Sequence, residues 1–152
     1  MKVHTLKFKG ALLERGFWLY IWKVGDGGRQ VFYVGRTGDS SSRYAASPFN
    51  RLGQHLDMRP NAKGNALLRN LKGEGLDPKC CDYQLVAVGP IFSEQKTLDK
   101  HRSFRDKIAP LENALAQHLK SQGYRVIGKH SSRKVKDEEL FSQILSLIKD
   151  KI

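Results

Sequence analysis

Two tyrosines near the start of the chain, Tyr20 and Tyr33, are followed by Arg36, then by Arg51 and His55 four residues apart, and much later by Glu112. These residue types suit hydrolysis of a phosphodiester, whose transition state spreads negative charge over non-bridging oxygens and is stabilised by positioned charge. The Arg51 guanidinium stays charged and can bind two phosphate oxygens at once. The spacing of four puts Arg51 and His55 on one helical face. A single carboxylate, Glu112, is enough to hold a Mg²⁺ ion that keeps several waters and takes its other ligands from the substrate. The attacking water must lose a proton, and a phenol with a pKa of about 10 is a poor base near neutrality unless cations lower it. Arg36, Arg51 and the metal are such cations, and His55 can accept the proton onward. Each residue also has an ordinary use. The tyrosines suit strand packing, Arg51 and His55 suit a solvated helix face, and Glu112 suits a helix cap if a new helix begins at Pro110. Their joint occurrence points to a site.

These groups need elements to carry them. Phe17 to Val24 and Gln30 to Val34, rich in aromatic and β-branched residues, flank the turn Gly25-Asp26-Gly27-Gly28 and predict a β-hairpin. That glycine-rich turn lies within the hairpin, so it is no phosphate-cradling loop between strand and helix. Gly35-Arg36-Thr37-Gly38-Asp39 and the following serines predict a loop. Ser47 and Pro48 suit a helix start, with the helix running through Arg51 and His55 to Leu56. Asn61 to Lys72 predicts a second short helix stopped by Gly73, and Asp82 to Val88 a third strand ended by Gly89 and Pro90. Phe104, Ile108, Leu111, Leu115 and Leu119 recur at spacings of four and three, a buried helical seam that Pro110 is expected to kink or restart. A terminal amphipathic helix, about 137–151, presents Leu140, Ile144, Leu147 and Ile148 and is expected to cover the core rather than pair two subunits. The expected fold is α+β, with a small three-stranded antiparallel sheet flanked by helices and an extra C-terminal helix.

In this order the motifs resemble the GIY-YIG nuclease superfamily, in its restriction-type or stand-alone endonuclease branch. Trp18-Leu19-Tyr20 stands where the family has Gly-Ile-Tyr, Tyr33-Val34-Gly35 is close to Tyr-Ile-Gly, and Arg36-Thr37 resembles the basic residue and threonine that follow. Arg51 and His55 resemble the Arg-xxx-His pair of the restriction branch. The resemblance implies one nuclease domain over residues 1–152, with its core at about 17–128. It implies Tyr20, Tyr33, Arg36, Arg51, His55 and Glu112 as catalytic residues, with Tyr20 as base or water-positioning group and Tyr33 orienting water or phosphate. It further implies Glu112 as ligand to Mg²⁺ (or Mn²⁺). Two departures stand out: Trp18 replaces a glycine, and Gly128, Lys129 and His130 lie where the family carries an asparagine.

Composition bears on the partner. The 152 residues carry 27 Lys and Arg against 15 Asp and Glu, a net charge of +12, which favours a polyanion, with nucleic acid ahead of a membrane surface. Ser40 to Gly73 holds six basic residues and one acid, and Asn113 to Lys136 holds six and none. Arg43, Lys120, Arg125, Lys129, His130, Arg133 and Lys134 are the expected contacts to double-stranded or branched DNA, with His130-Ser131-Ser132-Arg133-Lys134 as a loop tip. Phosphate contacts of this kind give salt-dependent affinity without reading sequence, so specificity is expected from insertions, a homodimer or a partner protein. No apolar run approaches the roughly 20 residues of a membrane span. The adjacent Cys80 and Cys81 suit neither a disulfide nor a zinc site, and with no signal-peptide pattern a reducing, cytoplasmic setting is expected. The alternative is a catalytically inactive DNA- or RNA-binding module on the same scaffold.

Overall fold

The computed structural model describes residues 1–39, 42–130 and 133–152. Its sheet starts from a hairpin, β1 (Gly16–Gly25) and β2 (Gln30–Arg36), paired antiparallel with Tyr20 opposite Gly35 and Trp22 opposite Tyr33. Two short helices follow, α1 (Pro48–His55) and α2 (Ala66–Gly73). The Ser47 side chain caps α1 by accepting from the Asn50 amide, and Pro48 takes the first helical position, where its missing N–H costs nothing. α2 is shorter than its pattern suggested and begins after Asn65, whose side chain donates to the Asp57 carbonyl instead of capping the helix. β3 (Asp82–Ser93) pairs antiparallel with the other edge of β1. It does not end at Gly89-Pro90, as expected, but runs through a cis bond there. The extra residues bulge against β1 between Phe17 and Leu19.

α3 (Leu98–Ser121) is then continuous through Pro110, so no helix restarts there and Glu112 is not an N-terminal cap. Pro110 withholds one backbone hydrogen bond, and the buried seam of Ile108, Leu111, Leu115 and Leu119 spans the gap. β4 (Val126–Ile127) adds to β2 in parallel, and α4 (Glu138–Ile148) closes the chain, capped by the Asp137 side chain. The fold is α+β. Among the described residues the sheet has four strands in the order β3-β1-β2-β4 and is mixed, which corrects the expected three-stranded antiparallel sheet. A strand of two residues has no periodicity to be read from sequence.

β1 lies inside the sheet between β3 and β2 and is buried on both faces, which is why its sequence reads as a continuous apolar run. Phe17, Leu19 and Ile21, with Phe32 and Val34 of β2, pack against α3 and against Ile144 and Ile148 of α4. α4 therefore covers the core as expected, although Leu147 faces solvent. Tyr20, Trp22, Val24 and Val31 face the other way, onto Leu67 and Leu71 of α2 and Ile127 of β4. Among the described residues no helix is long and apolar enough to cross a membrane.

Candidate active site

The end of β2 is where the chemistry-bearing residues gather. Thr37 is fully buried, and its hydroxyl accepts from the Trp18 amide at 2.8 Å and donates to the Gly16 carbonyl. Its own amide donates to the Trp18 carbonyl at 3.0 Å. This stitching pins the last residues of β2 to β1. Trp18 itself is buried, and its ring packs where a Cβ on Gly89 would stand 2.8 Å away. The tryptophan thus fills the space above the β3 bulge.

Across the hairpin, Gly35 makes room for Tyr20, since a Cβ there would come within 2.6 Å of the phenol ring and hydroxyl. The Tyr20 hydroxyl lies 2.6 Å from His55 Nε2 and donates to the Arg36 carbonyl at 3.3 Å. Both contacts are used at once when His55 carries its proton on Nε2 and donates to the phenol oxygen, leaving Nδ1 as a bare buried lone pair. Burial first, then the Arg51 charge, lowers the His55 pKa from 6.5 to about 3, so the imidazole is neutral. Burial also pushes the Tyr20 phenol well above its usual 10, against the pull of Arg51. Tyr33 is half-buried, with its ring centroid 5.3 Å from that of His55. Burial and then the negative charge of Glu112 push its pKa up to about 12. Both phenols are therefore protonated donors at neutral pH.

Arg36 points to the opposite face, toward α3, where its Nε donates to Glu112 Oε2 at 2.8 Å. The two groups meet beyond the end of β2, close enough for Glu112 to act on Tyr33 and for Arg51 to act on Glu112. Burial raises the Glu112 pKa, Arg36 opposes the rise, and the Asp39 carboxylate adds to it. Arg51 donates from Nη1 to Gln54 and from Nη2 to Asp39, both at 2.9 Å. Asp39 is the residue that sequence reasoning missed. Its one signal is its place directly after the Tyr33–Gly38 run. Of the five buried side-chain polar atoms without a partner among the described residues, Arg36 Nη1, Arg51 Nε and His55 Nδ1 all belong to this cluster. Unpartnered arginine donors at this depth are costly unless an oxyanion or water completes them.

Among the described residues no three His, Cys, Asp or Glu side chains come together as a metal-ligand set. Glu112 offers a metal one carboxylate, with Arg36 on one oxygen and no described donor on the other. That donor set fits a hydrated Mg²⁺ or Mn²⁺ completed by water and phosphate oxygens, and does not fit an all-protein cage. Two grooves lie away from these residues, about 380 Å³ at the β1–β2 turn and about 420 Å³ between α3 and α4.

The expected DNA contacts divide in two. Arg125 is held by Glu74 at 2.8 Å, Arg133 by Asp106 at 3.1 Å, and Arg43 by the Tyr44 hydroxyl at 2.6 Å. His130 spends its Nε2 on the Val34 carbonyl at 3.1 Å. Lys120, Lys129 and Lys134 are exposed, and no described residue pairs with them. Ser131 and Ser132 of the expected loop tip, and Ser40 and Ser41 of the earlier serine loop, lie outside the described residues. Cys80 and Cys81 are both free thiols. No protein-family model, curated protein or solved structure matches the chain.

Proposed function

We propose that the chain is a metal-dependent endonuclease that hydrolyses DNA phosphodiester bonds through a GIY-YIG-type site in the cytoplasm. The observation that carries this reading is the gathering of two unpartnered buried arginine donors, two phenols, a neutral histidine and one carboxylate at the end of β2. Arg51 is the phosphate clamp, and Arg36 adds positive charge where the transition state gains negative charge. Tyr33, the phenol partly open to solvent, orients the attacking water. Tyr20 stands behind it and takes the water's proton as it gives its own to His55 Nε2, the imidazole in this step being the tautomer with its hydrogen on Nδ1. Glu112 is the residue that would hold Mg²⁺ or Mn²⁺, which when bound neutralises charge on the phosphate oxygens. Specificity on double-stranded or branched DNA is left to a homodimer or a partner protein.

A second reading is favoured by a different observation. Each carboxylate of the site is held by an arginine, and Tyr20 and His55 are almost wholly buried. A catalytically inactive DNA- or RNA-binding module would have this arrangement too. Nicking of supercoiled plasmid with Mg²⁺ or Mn²⁺ separates the two. The nuclease reading expects metal-dependent cutting that falls by about 100-fold or more in Arg51→Ala and Glu112→Ala, with DNA binding largely kept in Glu112→Ala. Binding without cutting under both metals establishes the module instead.

A further inference from the structure

We infer that Asp39 is a positioning residue that holds the phosphate-binding edge of Arg51 until a phosphodiester displaces it. The inference rests on the proposed role of Arg51 as the phosphate clamp. Gly38 has φ +78°, and a Cβ on it would run into the Phe17 ring, so glycine turns the chain at this point. The turn delivers the Asp39 carboxylate to Arg51 Nη2 at 2.9 Å. Nη1 is occupied within its own helix by Gln54 at 2.9 Å. Nε is buried and has no described partner.

A guanidinium binds an oxyanion most strongly through two parallel N–H groups, and Nε with Nη2 forms one such edge. Asp39 uses half of that edge and leaves the other half unsatisfied. A phosphate with two free oxygens fills both halves, so it gains a hydrogen bond that the carboxylate does not make. Asp39 is 38% exposed and Arg51 18% exposed at the side chain. An ion pair with one partner this open is weak, and the released carboxylate returns to water, so the exchange carries little penalty. Nor is Asp39 remote from the rest of the site, because its charge also raises the pKa values of Tyr33 and Glu112.

The test is equilibrium binding of a short DNA duplex in EDTA, read by fluorescence anisotropy for wild type, Asp39→Asn, Arg51→Ala and the double variant. Asp39→Asn is expected to bind roughly three- to ten-fold more tightly, and most of that gain should vanish in the Arg51→Ala background. Asp39→Ser serves as a second neutral variant in case asparagine disturbs the turn. No gain in either variant, or a gain that persists undiminished without Arg51, overturns the inference while leaving DNA binding intact. Failure of every form to bind DNA overturns the proposed function and this inference together.

Discussion

At the residue scale, the site consists of neutral groups backed by charged ones. His55 is neutral because protonation would place a second cation beside Arg51 in a buried setting. Its pKa in the folded chain, about 3, lies below the 6.5 of an exposed histidine. The unfolded chain therefore binds more protons between these values, and the stabilisation is complete above pH 6.5 and lost as the pH falls through that window. Glu112 acts in the opposite sense, because burial raises its pKa from 4.5, so its window opens upward from there. Comparison with a His55 variant cancels that contribution, and between pH 6.5 and about 5.5 one buried neutral histidine changes stability by up to about 1.4 kcal/mol per pH unit. Urea unfolding should show the wild type losing stability over that interval and His55→Gln, which cannot titrate, losing measurably less. Equal losses in the two proteins would mean that His55 takes up its proton in the fold as readily as in the unfolded chain.

At the element scale, the decisive joint is the end of β2. Arg36 and Asp39 flank a threonine whose side chain makes two hydrogen bonds in the core, so their directions are set by a latch and not by free loop geometry. Replacing Thr37 by valine keeps the shape and leaves the Trp18 amide and the Gly16 carbonyl without their side-chain partner. At about 1–3 kcal/mol per buried unsatisfied group, unfolding stability should fall by roughly 3 kcal/mol. Serine at the same position should recover most of the loss, and a Thr37→Val protein as stable as wild type would remove the latch from the account. The hairpin, α1 and the seam of α3 were all legible, because strand alternation, an N-cap before proline and a three-four spacing are local patterns. At Pro110 the restart is the alternative that the structure removes, because tertiary burial carries α3 across a local helix breaker, and β4 was invisible because two residues pair only when α3 delivers them to β2.

At the scale of the whole molecule, the charge of +12 is not spread over equally available cations. Arg125 and Arg133 pair with Glu74 and Asp106 from distant parts of the chain, whereas Lys120 and Lys129 project without described partners. On the proposed function, log–log plots of DNA affinity against salt should lose about 2 units of slope when Lys120 and Lys129 are both changed to alanine. Arg125→Ala should change the slope less than either lysine does, since a phosphate must first displace the bidentate Glu74 carboxylate. A larger effect from Arg125 than from the two lysines would reassign the contact surface. Sequence counts basic residues, but their ion pairs join positions tens of residues apart, so only the fold shows which charges are spent.

Residue order alone determined the α+β class, the hairpin, and the set of groups fit for phosphodiester chemistry, because these depend on periodicity and side-chain type. Tertiary structure decided that Tyr20 meets His55, that Arg36 meets Glu112 from the opposite face, and that Asp39 takes one edge of Arg51. Those pairings span 12 to 76 positions of the chain. No local pattern encodes them, since each exists only once β1 is buried on both faces and the end of β2 is pinned beside it.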